Sequence, residues 1–247
     1  MLDCAMADDM LDDRSARQIV SNGHILSALY LARVPAAHAS PDWETFLLAC
    51  LARSHYTLQT ILEAQHRELD CAVLARVLYE HVVALAWVAI DPVPHYPMFL
   101  RWEYNEREKM RKDLESFASI APGEGTVRRS LIDMGPISAP ATPDRALAAD
   151  KFWSRCVTDW EWGLRRTYAN LFRPYSSYTH PTVMGLTPFV SHTGLAVNVG
   201  PPALMHNRTI AVETVTIFAD GLVVASHRLG WPTLKEVVSA FAHGLSE

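Results

Sequence analysis

The sequence has little cysteine, and none of it forms a paired motif. No Cys-x-x-Cys pair occurs, and the four cysteines lie far apart, at Cys4, Cys50, Cys71 and Cys156. Disulfide scaffolds and cysteine zinc sites need cysteines at short, recurring spacings. The spacing therefore indicates reduced structural thiols, and it disfavours a disulfide framework or a cysteine-ligated zinc ion.

The chain also lacks a strong charge of either sign. Its formal net charge is -5, and acidic residues are concentrated in residues 1–13. This balance argues against a broad basic surface for nucleic acid, while a local basic groove stays open. A composition of 49% hydrophobic and 20% charged residues is typical of a globular chain. The N-terminus has no basic region followed by an apolar core, so we expect a cytoplasmic protein with no membrane partner.

The common nucleotide and nucleophile motifs are missing. There is no phosphate loop, no Rossmann glycine fingerprint and no nucleophile elbow. Gly123-Glu-Gly125 lacks both the remaining glycine and the preceding strand that a dinucleotide site needs. Chemistry that depends on a bound nucleotide is therefore unsupported.

A metal site has only partial support. Glu63 and His66 have the Glu-x-x-His spacing that di-iron helical bundles use. A full site needs a second such pair, but Glu80 and His81 are adjacent and diverge by about 100° around a helix. We therefore predict no metal and no cofactor.

The most apolar stretch runs over residues 70–91, and its few ionisable residues include Arg76 and Glu80. Its length also suits a membrane span, but each central charge would cost roughly 2.5 to 3.5 kcal/mol there, and no basic cluster flanks it. A helix that is apolar on every face is one that other helices surround. We therefore predict a buried central helix, on which Arg76, Glu80 and Trp87 share one stripe.

The rest of the chain predicts further helices at residues 15–33, 40–65, 96–117, 144–171, 209–228 and 233–243. A short polar run joins residues 40–65 to the central helix, which predicts an antiparallel helix pair. Residues 118–142 are predicted to form a long surface loop, and residues 182–202 an irregular loop rather than a short hairpin. The acidic residues 1–14 are expected to be poorly ordered. The fold prediction is all-α: residues 1–247 form a single-domain bundle of six or seven helices around the central helix at about 70–90.

A polar segment, Arg173-Pro-Tyr-Ser-Ser-Tyr-Thr-His180, follows the aromatic-rich helix. On a helix, Arg173, Ser177 and His180 share one face, and we expect them to meet Glu80. Two interpretations stay open: a buried polar network, or a site in which His180 is a general base and Arg173 stabilises an anion. The candidate catalytic residues are His180, Arg173, Ser177, Glu80 and Arg76. The candidate binding residues are Tyr175, Tyr178, Trp87 and Tyr79.

These motifs resemble those of two families. Arg76-x-x-x-Glu80 with the later Ser177-x-x-His180 resembles a bacterial all-helical family of unknown function, over residues 40–180. That resemblance implies a helical bundle with a shared polar site.

The second resemblance is to HEPN-type ribonucleases of toxin and phage-defence systems, which carry an Arg and a His with four to six residues between them. Arg173 with His180 and Arg76 with His81 both have such a spacing, whereas Pro174 and Pro181 depart from the family pattern. The resemblance implies metal-independent RNA cleavage, with His180 as the base and Arg173 stabilising the phosphorane. It also implies a homodimer with the cleft between two protomers.

Three functions follow as hypotheses. The first is a small-molecule-binding or regulatory module with the polar Arg/Glu/Ser/His site, and the second is the HEPN-like ribonuclease. The third is a di-iron oxygenase-like bundle using Glu63, His66, Glu80 and His81. If Arg76 and Glu80 are buried as a pair, replacing Glu80 with alanine should cost several kcal/mol of stability.

Overall fold

The apolar helix predicted at about residues 70–90 does lie at the centre of the fold. In the computed structural model it spans Glu68–Val88. In its C-terminal part, every residue from Val82 to Val88 is buried. Four other long helices pack against it. The central position follows from the apolar composition, because most of the surface of this helix is unsuited to water.

The structure describes residues 21–28, 30–31, 42–64, 68–117, 138–157, 163–173, 190–193, 196–199 and 207–231. A short helix, α1, occupies residues 21–28 and 30–31. The longer elements are α2 (Asp42–Glu63), α3 (Glu68–Val88), α4 (Pro92–Phe117) and α5 (Thr142–Cys156). They are followed by α6 (Leu164–Thr167), a π-helical turn (Tyr168–Phe172), β1 (Val190–Thr193), β2 (Ala196–Val199) and α7 (Asn207–Leu229). The all-α prediction is confirmed.

The N-terminal helices form a layered core with α7. Helices α2 and α3 pack along each other as the predicted pair, and α7 contacts both of them. At Gly221 of α7, an added Cβ atom would lie 3.1 Å from a Val82 methyl carbon of α3. The missing side chain therefore lets the two helices approach closely. On the outside, α1 is tied to α2 by a 2.5 Å hydrogen bond between the Ser27 hydroxyl and His55 Nε2.

The C-terminal end of α3 is closed by side chains from two neighbours. The last carbonyls of a helix have no partner within it. Here the Trp153 indole of α5 donates to the Ala86 carbonyl at 2.9 Å. His95 Nδ1 donates to the Trp87 carbonyl at 2.8 Å, and its ring stacks on the Trp87 indole. These bonds join α3 to both α4 and α5.

Three predictions about local structure were wrong, two of them about helix boundaries. Helix α4 begins at Pro92 rather than near Tyr96, because prolines are tolerated in the first turn, where the N–H groups have no partner. The helix predicted over residues 144–171 ends at Cys156, and a new one begins at Leu164. Between them Gly163 has φ 67°, and the Asp150 carboxylate accepts the N–H groups of Leu164 and Arg165 at 2.7 Å. That carboxylate caps the new helix.

The third correction concerns residues 182–202. Val190–Thr193 and Ala196–Val199 pair as an antiparallel hairpin, with Val190 opposite Val199. The prediction of an irregular loop is therefore wrong; glycine and proline among short apolar pieces hide the strand pattern. The predicted surface loop lies mostly outside the described residues, as do the acidic N-terminus and the final helix at 233–243.

Helix α7 confirms the prediction of a helix over residues 209–228, despite its β-branched residues. Gly230 ends it with φ 68°, and Trp231 N–H donates to the Ser226 carbonyl at 2.8 Å. A glycine with positive φ is a common way to stop a helix.

Two helices of the described part are long and apolar enough to cross a membrane, at Leu69–Val88 and Ile210–Leu229. In each, 67% of the most apolar stretch is buried inside the protein. A core helix passes the same test of length and composition, so these two helices are weak evidence for a membrane span.

Candidate functional site

The predicted pair on α3 is present but is not buried. Arg76 Nη2 and Glu80 Oε1 lie 3.5 Å apart, with 25% and 41% of their side chains exposed. The Arg76 guanidinium also lies over the Phe172 ring, 4.7 Å from its centroid. The expectation of a buried pair was wrong, because both side chains are long enough to carry their charges from the edge of α3 towards water.

A correspondingly small stability effect is expected for Glu80. Replacing it with alanine should lower the free energy of unfolding by about 0.2–1 kcal/mol, because half-exposed ion pairs are screened by solvent. Chemical unfolding of the wild type and the variant checks this. The control is Glu106→Ala, which breaks an exposed pair with Lys109 on α4. A loss of several kcal/mol at Glu80 alone would contradict the expectation.

The second half of the predicted site is only partly described. Arg173 is exposed and directly follows Phe172, the residue on which Arg76 lies. Ser177, His180, Tyr175 and Tyr178 lie outside the described residues. Their meeting with Glu80 therefore stays a prediction. The other Arg/His spacing joins Arg76 to His81, whose Nδ1 donates to the Val77 carbonyl at 2.6 Å.

Two predicted binding residues are part of the core. Tyr79 is fully buried, and its hydroxyl donates to the Leu164 carbonyl at 2.7 Å. Burial and the nearby Asp150 carboxylate raise the pKa of Tyr79. Trp87 is also buried and stacks on His95. Both rings hold helices together.

The di-iron hypothesis needs Glu63 and Glu80 at one site. Glu63 ends α2 beside the start of α3, whereas Glu80 lies twelve residues further along α3, about 18 Å at 1.5 Å per residue. The structure does not bring them together, and His66 lies outside the described residues. No group of three potential metal ligands occurs in the described part of the chain.

A pocket of about 440 Å³ lies among α2, α3, α4 and α5. We call it the Arg145 pocket. Its walls combine aromatic and small apolar side chains with a few charged ones: Phe46, Ala49, Cys50, Arg53, Glu80, His81, Ala84, Phe99, Trp102, Glu103, Thr142 and Arg145. Arg53 and Ala49 are exposed and mark its mouth, while Ala84 is buried on the central helix.

Arg145 is the most unusual residue of this wall, since only 3% of it is exposed. Its guanidinium carbon lies 4.5 Å from the Trp102 ring centroid and 5.1 Å from that of Phe99. Nη2 donates to the Thr142 hydroxyl at 2.9 Å. Nε and Nη1 are buried and have no hydrogen-bond partner among the described residues. A cation is thus held against two aromatic faces with donors left over.

The charges around Arg145 compensate it only in part. Burial lowers the pKa of Arg145 to about 10, and the charge of Glu80 opposes that shift. Among the described residues, no carboxylate forms an ion pair with Arg145. Glu80 is instead paired with Arg76. Burial, with the negative charge of Glu103, raises the pKa of Cys50 to about 12. This thiol is therefore an unreactive wall residue.

Arg145 is not among the residues predicted from the sequence, although a signal for it exists. Arg145, Ala149 and Trp153 follow one another at four-residue intervals, and all three are buried. A charged residue on the apolar stripe of a helix is the pattern that marks it. Sequence alone does not say which aromatic rings lie beside it, because Phe99 and Trp102 belong to α4.

The fold and the site together define an all-α helical bundle with a pocket against its central helix. Comparison of the chain with protein-family models, with curated proteins and with solved structures finds no match. Neither of the two family resemblances is therefore supported beyond the motifs that suggested it.

Proposed function

We propose that this protein is a binding or regulatory module that takes a small organic molecule into the Arg145 pocket. The pocket itself carries the proposal. Its volume of about 440 Å³ falls within the range of roughly 300–1,000 Å³ that is typical of ligand sites. Such sites combine mainly apolar walls with a few polar groups, as this pocket does.

The position of the pocket supports the same function. One wall is the central helix, through Glu80, His81 and Ala84, and the other walls come from three helices that pack around it. A ligand there would contact four helices at once. Its binding energy would therefore stabilise their relative arrangement, which is how a ligand biases a helical bundle between states.

The charge on the wall also suits a small molecule better than a polymer. Glu80 and Glu103 accompany Arg53 and Arg145, so the pocket has no excess of positive charge for a nucleic-acid backbone. We place the protein in the cytoplasm as part of this proposal.

A bulky residue at the pocket mouth should prevent binding. Ala49→Trp adds an indole at an exposed position of α2, so we expect the fold to persist and fragment affinity to fall by at least about ten-fold, or 1.4 kcal/mol. Fragments are found by ligand-observed NMR with the purified wild type, and their dissociation constants are then measured for each variant.

The matched control is Thr60→Trp, because Thr60 is an exposed residue of α2 outside the pocket. This variant should bind the same fragments as the wild type. Fragments that bind Ala49→Trp unchanged, or a folded wild type that binds none, would refute the proposed function.

A further inference from the structure

We infer that the ligand of the Arg145 pocket is an amphipathic monocarboxylate whose carboxylate pairs with the Arg145 guanidinium. This inference rests on the proposed function and names its ligand class. It is carried by a separate observation, namely the two buried guanidinium nitrogens that lack a partner among the described residues.

A buried guanidinium needs hydrogen-bond acceptors and a compensating charge. Arg145 is almost completely buried, and of its side-chain nitrogens only Nη2 has a hydrogen-bond acceptor among the described residues, the Thr142 hydroxyl. Buried donors without hydrogen bonds are unfavourable, and a buried charge without a counter-charge is more unfavourable still. An anion that reaches Arg145 through the pocket supplies both the acceptors and the charge.

The charges of the pocket walls favour a carboxylate over a phosphate. The described walls offer one buried cation, Arg145, and also carry Glu80 and Glu103. A phosphate group of charge near -2 would be repelled by these carboxylates and would exceed the charge of one guanidinium. A carboxylate has a single charge and a planar pair of oxygens that matches a guanidinium.

The remaining walls of the pocket favour an apolar body for the ligand. Beyond Arg145, the walls are formed by Phe46, Phe99, Trp102 and the small residues Ala49 and Ala84. Aromatic and aliphatic groups gain most from such surroundings. An acid with an aryl or short alkyl body therefore satisfies both parts of the pocket.

The test uses acids and their neutral amides as matched probes: benzoate and benzamide, phenylacetate and phenylacetamide, and hexanoate and hexanamide. Phenyl phosphate provides the comparison with a phosphate. Dissociation constants are measured by calorimetry with the full-length protein. At least one acid is expected to bind at least about ten-fold more tightly than its amide, because hydrogen bonds to a charged group are stronger than neutral ones. Phenyl phosphate is expected to bind more weakly than that acid.

Two variants separate Arg145 from general electrostatic attraction. Arg145→Gln should remove the preference for acids, whereas Arg53→Gln, which removes the exposed cation of the same wall, should retain it. If Arg145→Gln fails to fold, the wild-type comparison still decides the ligand class, and Arg53→Gln still shows whether the other cation of the wall causes the preference. Amides that bind as tightly as acids, tighter binding of phenyl phosphate, or a preference lost only in Arg53→Gln would overturn the inference. If one of these outcomes occurs but neutral fragments bind the wild type and not Ala49→Trp, the ligand class is wrong and the proposed function is retained.

Discussion

Replacing Trp153 with alanine is expected to lower the free energy of unfolding by about 3–5 kcal/mol. Trp153 is one of the largest fully buried side chains, with 1% of it exposed. Its indole donates to the Ala86 carbonyl in the last turn of α3, so the variant loses a cap as well as packed volume. The resulting cavity would lie between α3 and α5, where few neighbours can move to fill it.

Denaturant unfolding followed by circular dichroism measures this loss. The neighbouring Phe152 is only half-buried, so Phe152→Ala serves as a control with a smaller expected loss. Trp153→Phe separates the two contributions, since it keeps an aromatic ring and leaves the Ala86 carbonyl without the indole donor. A loss below about 1 kcal/mol for Trp153→Ala would show that α5 does not depend on this contact.

Asp220 is expected to make a contribution to stability that falls as pH rises from about 4 to about 8. Burial in α7, and secondarily the charge of Asp150, raises the pKa of Asp220 to about 8. The folded state therefore holds a proton on this carboxyl group over a range in which the unfolded chain has released it. Unfolding then releases a proton, and stability decreases with pH.

The size of this effect has an upper limit. One proton released on unfolding gives a slope of about 1.4 kcal/mol per pH unit. Part of Asp220 remains exposed, so solvent screening should reduce the shift of its pKa and narrow the pH range over which stability falls. The contribution is fully present below the unfolded pKa near 4 and is lost as pH rises through the folded pKa of about 8.

The variant Asp220→Asn isolates this contribution, because asparagine does not titrate. Its stability relative to the wild type should increase steadily from pH 4 to pH 8. Measuring the difference matters, since burial lowers the pKa of His55 and gives that residue a pH dependence of the opposite sign. A difference between Asp220→Asn and the wild type that does not change with pH would refute the role of Asp220.

Much of the fold could be predicted because its strongest signals are local. The run at residues 70–91 is apolar over most of its surface, so other helices had to cover most of it. Helix α7 was also predictable, since its length and its stopping glycine outweigh its β-branched residues. The break before Leu164 was not, because it depends on the Asp150 carboxylate reaching back from the preceding helix.

The site was predicted less well, for a different reason. Arg76 and Glu80 were correctly expected to lie one turn apart, and they do form an ion pair. Their exposure could not be predicted, because it depends on where the neighbouring helices leave α3 uncovered. Arg145 was missed because a charged residue near the start of a helix usually faces water.

The sequence by itself determined the all-α class, the central position of α3 and its pairing with α2, since apolar periodicity and helix-breaking residues act within one segment. Only the tertiary structure decided that a pocket exists and that Arg145 lies in its wall. Phe99 and Trp102 come from α4, Thr142 and Arg145 from α5, and Glu80 from α3. A pocket arises from the gaps between packed helices, and its chemistry depends on which side chains of distant segments meet there.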